Sequence, residues 1–385
     1  MRAWIDVNLD RLTHNVIQIQ NQVLNKKIMA IIKANAYGHG AFAIAKHLSN
    51  LGIEYFGVAT SEEAFLLREE GIKSTILILS SVPLEEFEEI ALKNIQITIS
   101  SPEEIKFLYE KRFFFRKNPL KIHIKVDTGM GRIGFKPLET IRAIRIIKRL
   151  KVAEICGLYT HLSDADGDSL QSHEYTQKQI SDFDLIVQKV LEKYSIEYIH
   201  ILNSAGILRF PKLSKYENMV RPGLILYGVY PCNFDTIKLK QIMTFKSKIL
   251  FVKKIEASLD ISYGRSYTAK SGEIIATVPI GYADGLFRNL SNNWDVEVTG
   301  QKCSIVGRIC MDNLMINASN IRKPLHKDVI LLGENISIYK MADVCGTIPW
   351  EILTSINPRI TKLYFKDEEL VCKVTLLQNS VYNNF

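Results

Sequence analysis

Short apolar runs alternate with amphipathic segments over roughly the first 230 residues. The first amphipathic segment has Leu12, Val16, Ile19 and Val23 at a spacing that places them on one face of a helix. The runs that follow are apolar almost throughout, which is typical of parallel strands buried on both faces. There are eight of them, at residues 28–33, 54–59, 75–80, 95–99, 120–126, 154–161, 198–203 and 218–221.

Residues that favour helix ends lie between these runs. Thr60 and Glu63 have the spacing of a capping box, in which each side chain accepts a hydrogen bond from the other residue's amide. Ser101 is followed by Pro102, which favours the first position of a helix, and Gly71 is a typical helix end. Eight strand and helix units in succession predict an α/β fold, a (β/α)8 barrel of the TIM type.

The pattern changes from about Phe234 onward. Extended runs separated by turn residues follow, without a long helix between them, and they predict a mostly β domain. They cover residues 244–255, 273–280, 303–309 and 329–332. We therefore expect a barrel over residues 1–233 and a C-terminal β-rich domain over residues 234–385. The first residues of the chain are candidates for pairing with the β-rich domain.

The composition is that of a globular protein of a reducing compartment. Apolar residues make up 47% of the 385 residues and charged residues 23%, which is the usual mix of a chain with a core. The six cysteines show neither paired spacing nor a metal-type Cys-x-x-Cys. No apolar run approaches a membrane span of ~18 residues, and the N-terminus lacks an apolar signal core. These features predict a cytoplasmic protein without a metal site or a membrane contact.

The formal charge of +8 comes from lysines and arginines that are scattered along the chain. The densest stretch, residues 142–151, is typical of a solvated helix face. No zinc-ligand spacing or aromatic platform accompanies the charge, so nucleic acid is not the expected partner. A basic surface can equally attract anionic small molecules.

The most informative segment is IMAIIKANAYGHG at residues 28–40. An apolar strand places Lys33 at its carboxyl end, where barrel enzymes carry their reactive groups. A lysine there can be desolvated, which lowers its pKa so that the neutral amine can attack an aldehyde. Taken alone, a lysine that ends a strand and reaches water is the commoner case. The surrounding motifs favour the reactive lysine.

KANAYGHG resembles the cofactor-lysine signature of the alanine racemases, which are fold-type III pyridoxal-phosphate enzymes. Seven further motifs occur in that family's order and spacing. They are VDTGMGRIG at 126–134, YTHLSDAD at 159–166, NSAG at 203–206, VRPGLILYG at 220–228, SYGRSY at 262–267, PIGYADG at 279–285 and VGRICMDN at 306–313. The resemblance implies an isomerase that interconverts L- and D-alanine and holds pyridoxal 5'-phosphate through a Schiff base to Lys33. The family usually supplies D-alanine for peptidoglycan.

The resemblance also implies the two acid-base groups of the reaction. Lys33 matches the family's base for the D isomer, and Tyr263 matches its base for the L isomer. Two groups on opposite faces are the simplest way to remove a proton from one side and return it on the other. Without the resemblance, Tyr263 would be interpreted as a packing residue in a strand.

Arg221 matches the arginine that faces the pyridine nitrogen of the cofactor. A guanidinium can only donate, so it keeps that nitrogen unprotonated and favours racemisation over other outcomes. The alternative for Arg221 is a structural salt bridge beside the following turn. His161 matches a histidine that lies between Tyr263 and Arg221 in the family, although a histidine at a strand end is commonly only hydrogen-bonded in place.

The resemblance assigns the remaining cofactor contacts as well. Tyr37, Ser204 and Gly223 match the phosphate contacts, although Ser204 could instead only cap a helix. Arg132 matches the arginine that contacts the cofactor phenol and orients the substrate carboxylate. Lys125 matches a lysine that is carbamylated in many members and then holds that arginine.

The last matches imply a head-to-tail homodimer. Met311 and Asp312 match positions at which the partner subunit lines the substrate pocket, and Tyr263 also acts there in the family. The other matched positions are supporting or corridor residues, namely Asp166, Tyr282, Arg288, Arg308 and Trp350. At Trp350 the family usually has a tyrosine, and indole is larger and offers only an N–H donor. We therefore expect a narrower entrance or weaker cofactor anchoring.

Four alternatives remain at this point. A broader racemase that also accepts serine differs only in pocket volume. Fold-type III decarboxylases generally present an acidic group to the pyridine nitrogen, where this chain has Arg221. Non-catalytic barrel proteins of vitamin B6 homeostasis lack a β-rich domain. A metabolic barrel without a cofactor has no reason for the ordered motifs.

Overall fold

The computed structural model describes residues 1–233 and 235–375, so Phe234 and residues 376–385 lie outside the description. The described residues form two compact units. One unit comprises residues 13–36 and 44–240 and is called the barrel unit below. The other comprises residues 1–12, residues 37–43 and the chain from residue 241, and is called the β-rich unit.

The chain begins with strand β1 (Ala3–Asn8) and helix α1 (Leu9–Val23). Eight parallel strands then form a closed barrel in chain order, which confirms the predicted fold. They are β2 (Lys27–Ile31), β3 (Tyr55–Val58), β4 (Thr75–Ile78), β5 (Gln96–Ile99), β6 (Leu120–Lys125), β7 (Ala153–Tyr159), β8 (Tyr198–His200) and β9 (Met219–Val220). Each of the eight apolar runs overlaps one of these strands.

Helices connect the barrel strands. They are α2 (Ala41–Asn50), α3 (Ser61–Glu69), α4 (Phe87–Leu92), α5 (Pro102–Glu110), α6 (Arg112–Phe115), α7 (Pro137–Leu150), α8 (Leu170–Leu191) and α9 (Ser204–Arg209). In α7 the buried residues Thr140, Ala143, Ile144 and Ile147 recur every three or four positions, as expected for one inward face. No helix among residues 1–233 and 235–375 has the length and apolar character needed to cross a membrane.

The two predicted helix starts differ in detail. Ser101 and Glu104 form a complete capping box at the start of α5. At α3 the Thr60 hydroxyl accepts a hydrogen bond from the amide of Glu63, as predicted. The other half of that prediction is wrong, because the Glu63 carboxylate accepts from the amides of Ala59 and Ala34. Gly71 ends α3 with a positive φ of 86°, which favours glycine.

The β-rich unit contains three sheets. The largest has seven strands in the order β16-β15-β18-β10-β1-β19-β20, and the smaller sheets are β11-β14-β17 and β12-β13. The strands are β10 (Met243–Lys248), β11 (Phe251–Lys254), β12 (Leu259–Ile261), β13 (Tyr267–Ala269), β14 (Ile274–Val278), β15 (Asp295–Val298), β16 (Gln301–Ser304), β17 (Leu314–Asn317), β18 (Asp328–Leu332), β19 (Thr361–Lys366) and β20 (Glu369–Val374). Two helices, α10 (Ile338–Cys345) and α11 (Pro349–Thr354), lie between β18 and β19.

The division between the units differs from the expected boundary at residues 233 and 234. Residues up to 240 stay with the barrel unit because the side chain of Asn15 bonds the backbone of Lys240 in both directions. Strand β1 pairs antiparallel with β10 and parallel with β19, so the first residues belong to the seven-stranded sheet. Residues 37–43 also join the β-rich unit, where the Tyr364 hydroxyl donates to the carbonyl oxygen of His39 at 2.8 Å.

Candidate active site

Lys33 lies two residues after the end of β2 and begins a left-handed turn. The next residues, Ala34, Asn35, Ala36 and Tyr37, have φ values of 50°, 53°, 53° and 52°. A left-handed conformation costs a residue other than glycine about 1–2 kcal/mol, so the surrounding structure must hold this turn in place. Strain of this kind concentrates at functional sites.

The environment of Lys33 favours the neutral amine. Its side chain is half-buried. Burial lowers the pKa of the Lys33 amine, and the positive charge of Arg132 lowers it further, whereas the Glu63 carboxylate acts in the opposite direction. A larger fraction of neutral amine makes Lys33 a better nucleophile near neutral pH.

Arg221 lies just after β9 and is buried, and none of the described residues forms an ion pair with it. Its Nη1 donates to Nδ1 of His200 at 2.9 Å, and its Nη2 donates to the carbonyl oxygens of Thr160 at 2.7 Å and Ile201 at 2.8 Å. Within residues 1–233 and 235–375 no carboxylate oxygen lies within 4.0 Å of this guanidinium, so the salt-bridge alternative is wrong. Burial lowers the pKa of Arg221 to about 10, and the group therefore stays charged at neutral pH.

A chain of neutral side chains continues from Arg221 into the barrel interior. His200 Nε2 lies 2.8 Å from Nδ1 of His123, and Nε2 of His123 lies 2.8 Å from Oε1 of Gln96. Because Arg221 can only donate, each histidine accepts on Nδ1 and donates from Nε2, and the Gln96 oxygen is the final acceptor. Burial lowers the pKa of His123 to about 3 and lowers that of His200 well below its usual value, so both rings are neutral.

Sequence reasoning missed Gln96, His123 and His200. The available signal was a polar, uncharged side chain in each of three strands that are predicted to be buried on both faces. That signal shows that the side chains are buried, but it does not show that the three strands bring them together.

Lys125, the last residue of β6, is also buried. Its side-chain nitrogen has no hydrogen-bond partner among the described residues. Burial lowers the pKa of the Lys125 amine well below its usual value, and the charges of Arg221 and Arg132 add to this effect. The ring of Tyr159 lies beneath both cations, with its centre 4.8 Å from the Lys125 nitrogen and 5.3 Å from the Arg221 guanidinium carbon.

The glycine-rich turn after β6 carries Arg132. Oδ1 of Asp127 accepts hydrogen bonds from the amides of Gly129, Met130 and Gly131 at 2.9–3.1 Å, which fixes the start of the turn. Arg132 then extends into solvent as an exposed side chain. An exposed guanidinium at the end of a rigid turn can contact a ligand.

The loops after β8 and β9 are joined at Ser204. The Ser204 hydroxyl accepts a hydrogen bond from the amide of Gly223 at 2.9 Å. The cap of α9 is Asn203, whose side-chain oxygen accepts from the amide of Gly206, so the alternative that Ser204 only caps this helix is wrong. Loops at this position of a barrel commonly bind phosphate.

His161 and Asp166 lie in the loop after β7. Nδ1 of His161 is 3.4 Å from Nη2 of Arg221, and burial followed by the charge of Arg221 lowers the pKa of His161 well below its usual value. Asp166 is exposed, and no hydrogen bond or ion pair of the described residues joins it to the groups above.

The β-rich unit presents Tyr263 in a strained turn between β12 and β13. The preceding residue, Ser262, has a φ of 68°, and its hydroxyl donates to the carbonyl oxygen of Arg308 at 2.6 Å. Gly264 leaves room for the Arg308 guanidinium, because a Cβ there would lie 2.7 Å from it. The side chain of Tyr263 is 69% exposed, so the alternative of a packing residue in a strand is wrong.

Tyr282 and Met311 lie on neighbouring loops of the same unit. The amide of Tyr282 donates to the carbonyl oxygen of Cys310 at 3.1 Å, and that of Ala283 donates to the oxygen of Met311 at 3.0 Å. Gly281 permits this approach, since a Cβ would lie 2.2 Å from the Cys310 oxygen. Tyr282 is 43% exposed and Met311 is 54% exposed.

The other predicted residues of the β-rich unit are more dispersed. Asp312 accepts a hydrogen bond from Arg359 at 2.8 Å. Arg288 is exposed in a short helical turn of residues 288–290. Trp350 is the second residue of α11 and is half-buried. Tyr37 is buried in the segment that joins this unit.

The fold and the site define the class first: this is a (β/α)8 barrel protein with a half-buried lysine, whose pKa is lowered, at the carboxyl end of its first barrel strand. Residues 7–231 match the alanine racemase N-terminal domain family, and residues 242–364 match the alanine racemase C-terminal domain family. The chain belongs to the alanine racemase family, whose members are pyridoxal-phosphate-dependent isomerases.

Individual relatives agree with this assignment. The alanine racemase of Carboxydothermus hydrogenoformans is 38% identical, over 94% of this chain and 99% of that protein. Alanine racemase 1 of Oceanobacillus iheyensis is 39% identical, over 94% and 98%. The solved alanine racemase of Clostridium difficile 630 has a TM-score of 0.92 at 37% identity, over 98% of this chain and 99% of that one. The Bacillus anthracis enzyme, solved with bound L-Ala-P, has a TM-score of 0.88 at 31% identity, over 98% of each chain.

Proposed function

We propose that this protein interconverts L- and D-alanine, with pyridoxal 5'-phosphate held by Lys33, and that its D-alanine supplies peptidoglycan. Family membership supports the reaction. The observation that carries the proposal is the half-buried Lys33 amine, whose pKa is lowered, at the mouth of a barrel that also holds the buried guanidinium of Arg221.

The residues of the barrel unit fit this cofactor. An aldehyde needs a neutral amine, which Lys33 supplies, and an aromatic nitrogen needs a donor. None of the hydrogen bonds among the described residues uses Nε of Arg221, so this atom is available to donate. The joined loops at Ser204 and Gly223 fit a phosphate, with Tyr37 as a further contact by resemblance, and Arg132 fits the phenol oxygen and the substrate carboxylate.

When bound, pyridoxal phosphate supplies an electron sink that acidifies the α-hydrogen of the amino acid. Lys33 exchanges the proton on the face of the D isomer, and Tyr263 exchanges it on the face of the L isomer. Arg221 would face the aromatic nitrogen and, because it holds its own proton at neutral pH, would leave that nitrogen unprotonated, which would favour return of the proton over other reactions.

Deuterium exchange tests the reaction itself. Either isomer of alanine, incubated with the protein and pyridoxal phosphate in D2O, should acquire deuterium at Cα and yield the racemate, as followed by proton NMR and chiral chromatography. Serine serves as the second substrate, and rapid exchange of serine would indicate the broader racemase. Absence of exchange with alanine would contradict the proposal.

We infer that the protein acts as a homodimer in which each site receives residues from the partner. The exposure of Tyr263, Tyr282 and Met311 on the β-rich unit supports this inference, because large side chains at family site positions are left open to a second chain.

Mixing two inactive variants tests the dimer. Lys33→Ala and Tyr263→Phe, unfolded and refolded together, form mixed dimers with one site that has both groups. About one quarter of the wild-type activity should then return if the chains pair at random as a symmetric dimer. Each variant refolded alone is the control. No recovery in verified mixed dimers would show that both groups act within one chain.

We also propose, from the resemblance, that Lys125 is carbamylated. Burial lowers the pKa of its amine and so raises the neutral fraction that can attack carbon dioxide, in which an N–C bond forms and one proton is released. The carbamate would place an anion close to Arg132.

A further inference from the structure

Helices α3 and α5 begin with the same motif, a hydroxyl residue followed three positions later by glutamate. At α5 the carboxylate of Glu104 returns to its own helix start, where it accepts from the amides of Ser101 at 2.9 Å and Ser100 at 2.6 Å. At α3 one oxygen of Glu63 accepts from the amide of Ala59 at 2.8 Å, and the other accepts from the amide of Ala34 at 2.5 Å. Glu63 therefore joins two separate strand ends.

The amide that Glu63 holds belongs to the residue directly after Lys33. Ala34 is the first residue of the left-handed turn, and a turn of non-glycine residues persists only when its neighbours fix it. A second hydrogen bond, from the amide of Ala36 to the carbonyl oxygen of Ile32 at 2.8 Å, lies within the turn itself. Glu63 is the side chain that ties the turn to the next strand and helix unit.

Glu63 also acts on the amine. The charged groups that affect Lys33 are Arg132, from the turn after β6, and Glu63, from α3, while His161 near the same amine is neutral. Arg132 disfavours the protonated amine, and Glu63 favours it.

We propose that Glu63 is a positioning residue for Lys33, which fixes the left-handed turn through Ala34 and places one negative charge near the amine. This inference rests on the proposed function, because it assigns Glu63 a part in presenting the cofactor lysine.

Amide exchange tests the turn without any cofactor chemistry. In Glu63→Ala the amide of Ala34 should exchange with D2O at least about tenfold faster, as measured on peptides that span residues 28–37. Glu104→Ala is the matched control, since it removes the same motif glutamate from α5, and Thr60→Ala removes the α3 cap but keeps the Glu63 carboxylate. Both controls should leave this exchange unchanged. Equal exchange at Ala34 in Glu63→Ala and the wild type would overturn the inference.

Reconstitution with pyridoxal phosphate tests the effect on Lys33. The visible absorbance should develop at least about tenfold more slowly in Glu63→Ala than in Glu104→Ala. In Glu63→Gln the negative charge is lost, the pKa of the Lys33 amine falls further, and the acidic limb of the rate against pH should move to lower pH. The inference would be overturned if Glu63→Ala left the rate of absorbance development unchanged and Glu63→Gln left the acidic limb of the pH profile unchanged. If the wild type develops no absorbance, the proposed function fails, while the exchange measurement still decides the role of Glu63 in the turn.

Discussion

Two buried charges, Asp284 of the β-rich unit and Arg221 of the barrel unit, have opposite surroundings. In the β-rich unit the carboxylate of Asp284 is fully buried and accepts from Arg2 at 2.6 and 2.9 Å, from Arg359 at 2.7 Å and from the amide of Gly281 at 3.1 Å. In the barrel unit Arg221 and Lys125 are buried, and neither has a carboxylate oxygen within 4.0 Å among the described residues. A buried charge that is paired with an opposite charge of the same protein stabilises the fold. A buried positive charge without such a partner is available to a ligand.

The largest expected effect comes from neutralising Arg221. In Arg221→Gln one amide cannot serve His200 and two carbonyl oxygens at once, and the positive charge at the aromatic nitrogen is lost. We expect kcat/KM to fall roughly 10²–10³-fold. The fall should be equal in both directions, because the equilibrium constant of a racemisation is one. Steady-state assays from each isomer measure it, with Arg359→Gln as the control that should retain most activity. A decrease in kcat/KM of less than threefold would show that Arg221 has no direct part in the reaction.

Changes at Asp284 should affect the stability of the fold rather than the activity. Burial alone would raise the pKa of its carboxyl, but hydrogen bonds from Arg2 and Arg359 hold that pKa below its usual value. The stabilisation is therefore present above the unfolded pKa of about 3.9 and is lost as the pH falls through the folded value.

In Asp284→Asn we expect the free energy of unfolding at neutral pH to fall by about 2–3 kcal/mol, since two arginines lose a buried partner. The variant should also lose less stability than the wild type on acidification. Urea unfolding at several pH values measures both effects. Equal acid sensitivity of the two proteins would show that another carboxylate dominates.

Lys125 tests whether the barrel unit also contains a buried negative charge, because carbamylation would turn this side chain into an anion. We expect Lys125→Ala to lower kcat/KM about tenfold by loosening Arg132, which corresponds to roughly 1.4 kcal/mol. Added acetate should restore part of the loss by supplying a carboxylate, and chloride at equal ionic strength is the control. If acetate and chloride change the activity of Lys125→Ala to the same extent, the proposal that Lys125 is carbamylated loses its support.

The smallest effect is expected at Trp350. In Trp350→Tyr a hydroxyl replaces the indole N–H and the side chain shrinks, so we expect the dissociation constant for pyridoxal phosphate to fall about two- to fivefold. Fluorescence titration of the cofactor-free protein measures it. Unchanged affinity together with unchanged turnover would show that the departure at this position has no consequence.

The sequence predicted the barrel strands because burial on both faces makes each of them apolar without help from distant residues. It predicted that the first residues pair with the β-rich domain, which is confirmed, but it did not predict the strand β1 itself, because a strand between β10 and β19 depends on partners more than 230 residues away. The hydrogen-bonded chain of side chains from Arg221 to Gln96 was missed because its members also come from distant parts of the sequence. The left-handed turn was missed because Ala34 and Ala36 have no local preference for it, and Glu63 shows its role only once the strands are adjacent. The assigned roles of Tyr37, Tyr263 and Met311 remain predictions.

The central claim is that the half-buried Lys33, and not the more deeply buried Lys125, holds the cofactor. Reduction of the reconstituted protein with borohydride, followed by proteolysis and mass spectrometry, fixes any Schiff base as a stable pyridoxyl group on its lysine. The account predicts that the group is found on the peptide that contains Lys33, and that Lys33→Ala carries none. A pyridoxyl group on Lys125 or elsewhere, or no trapped group in the wild type, would contradict it.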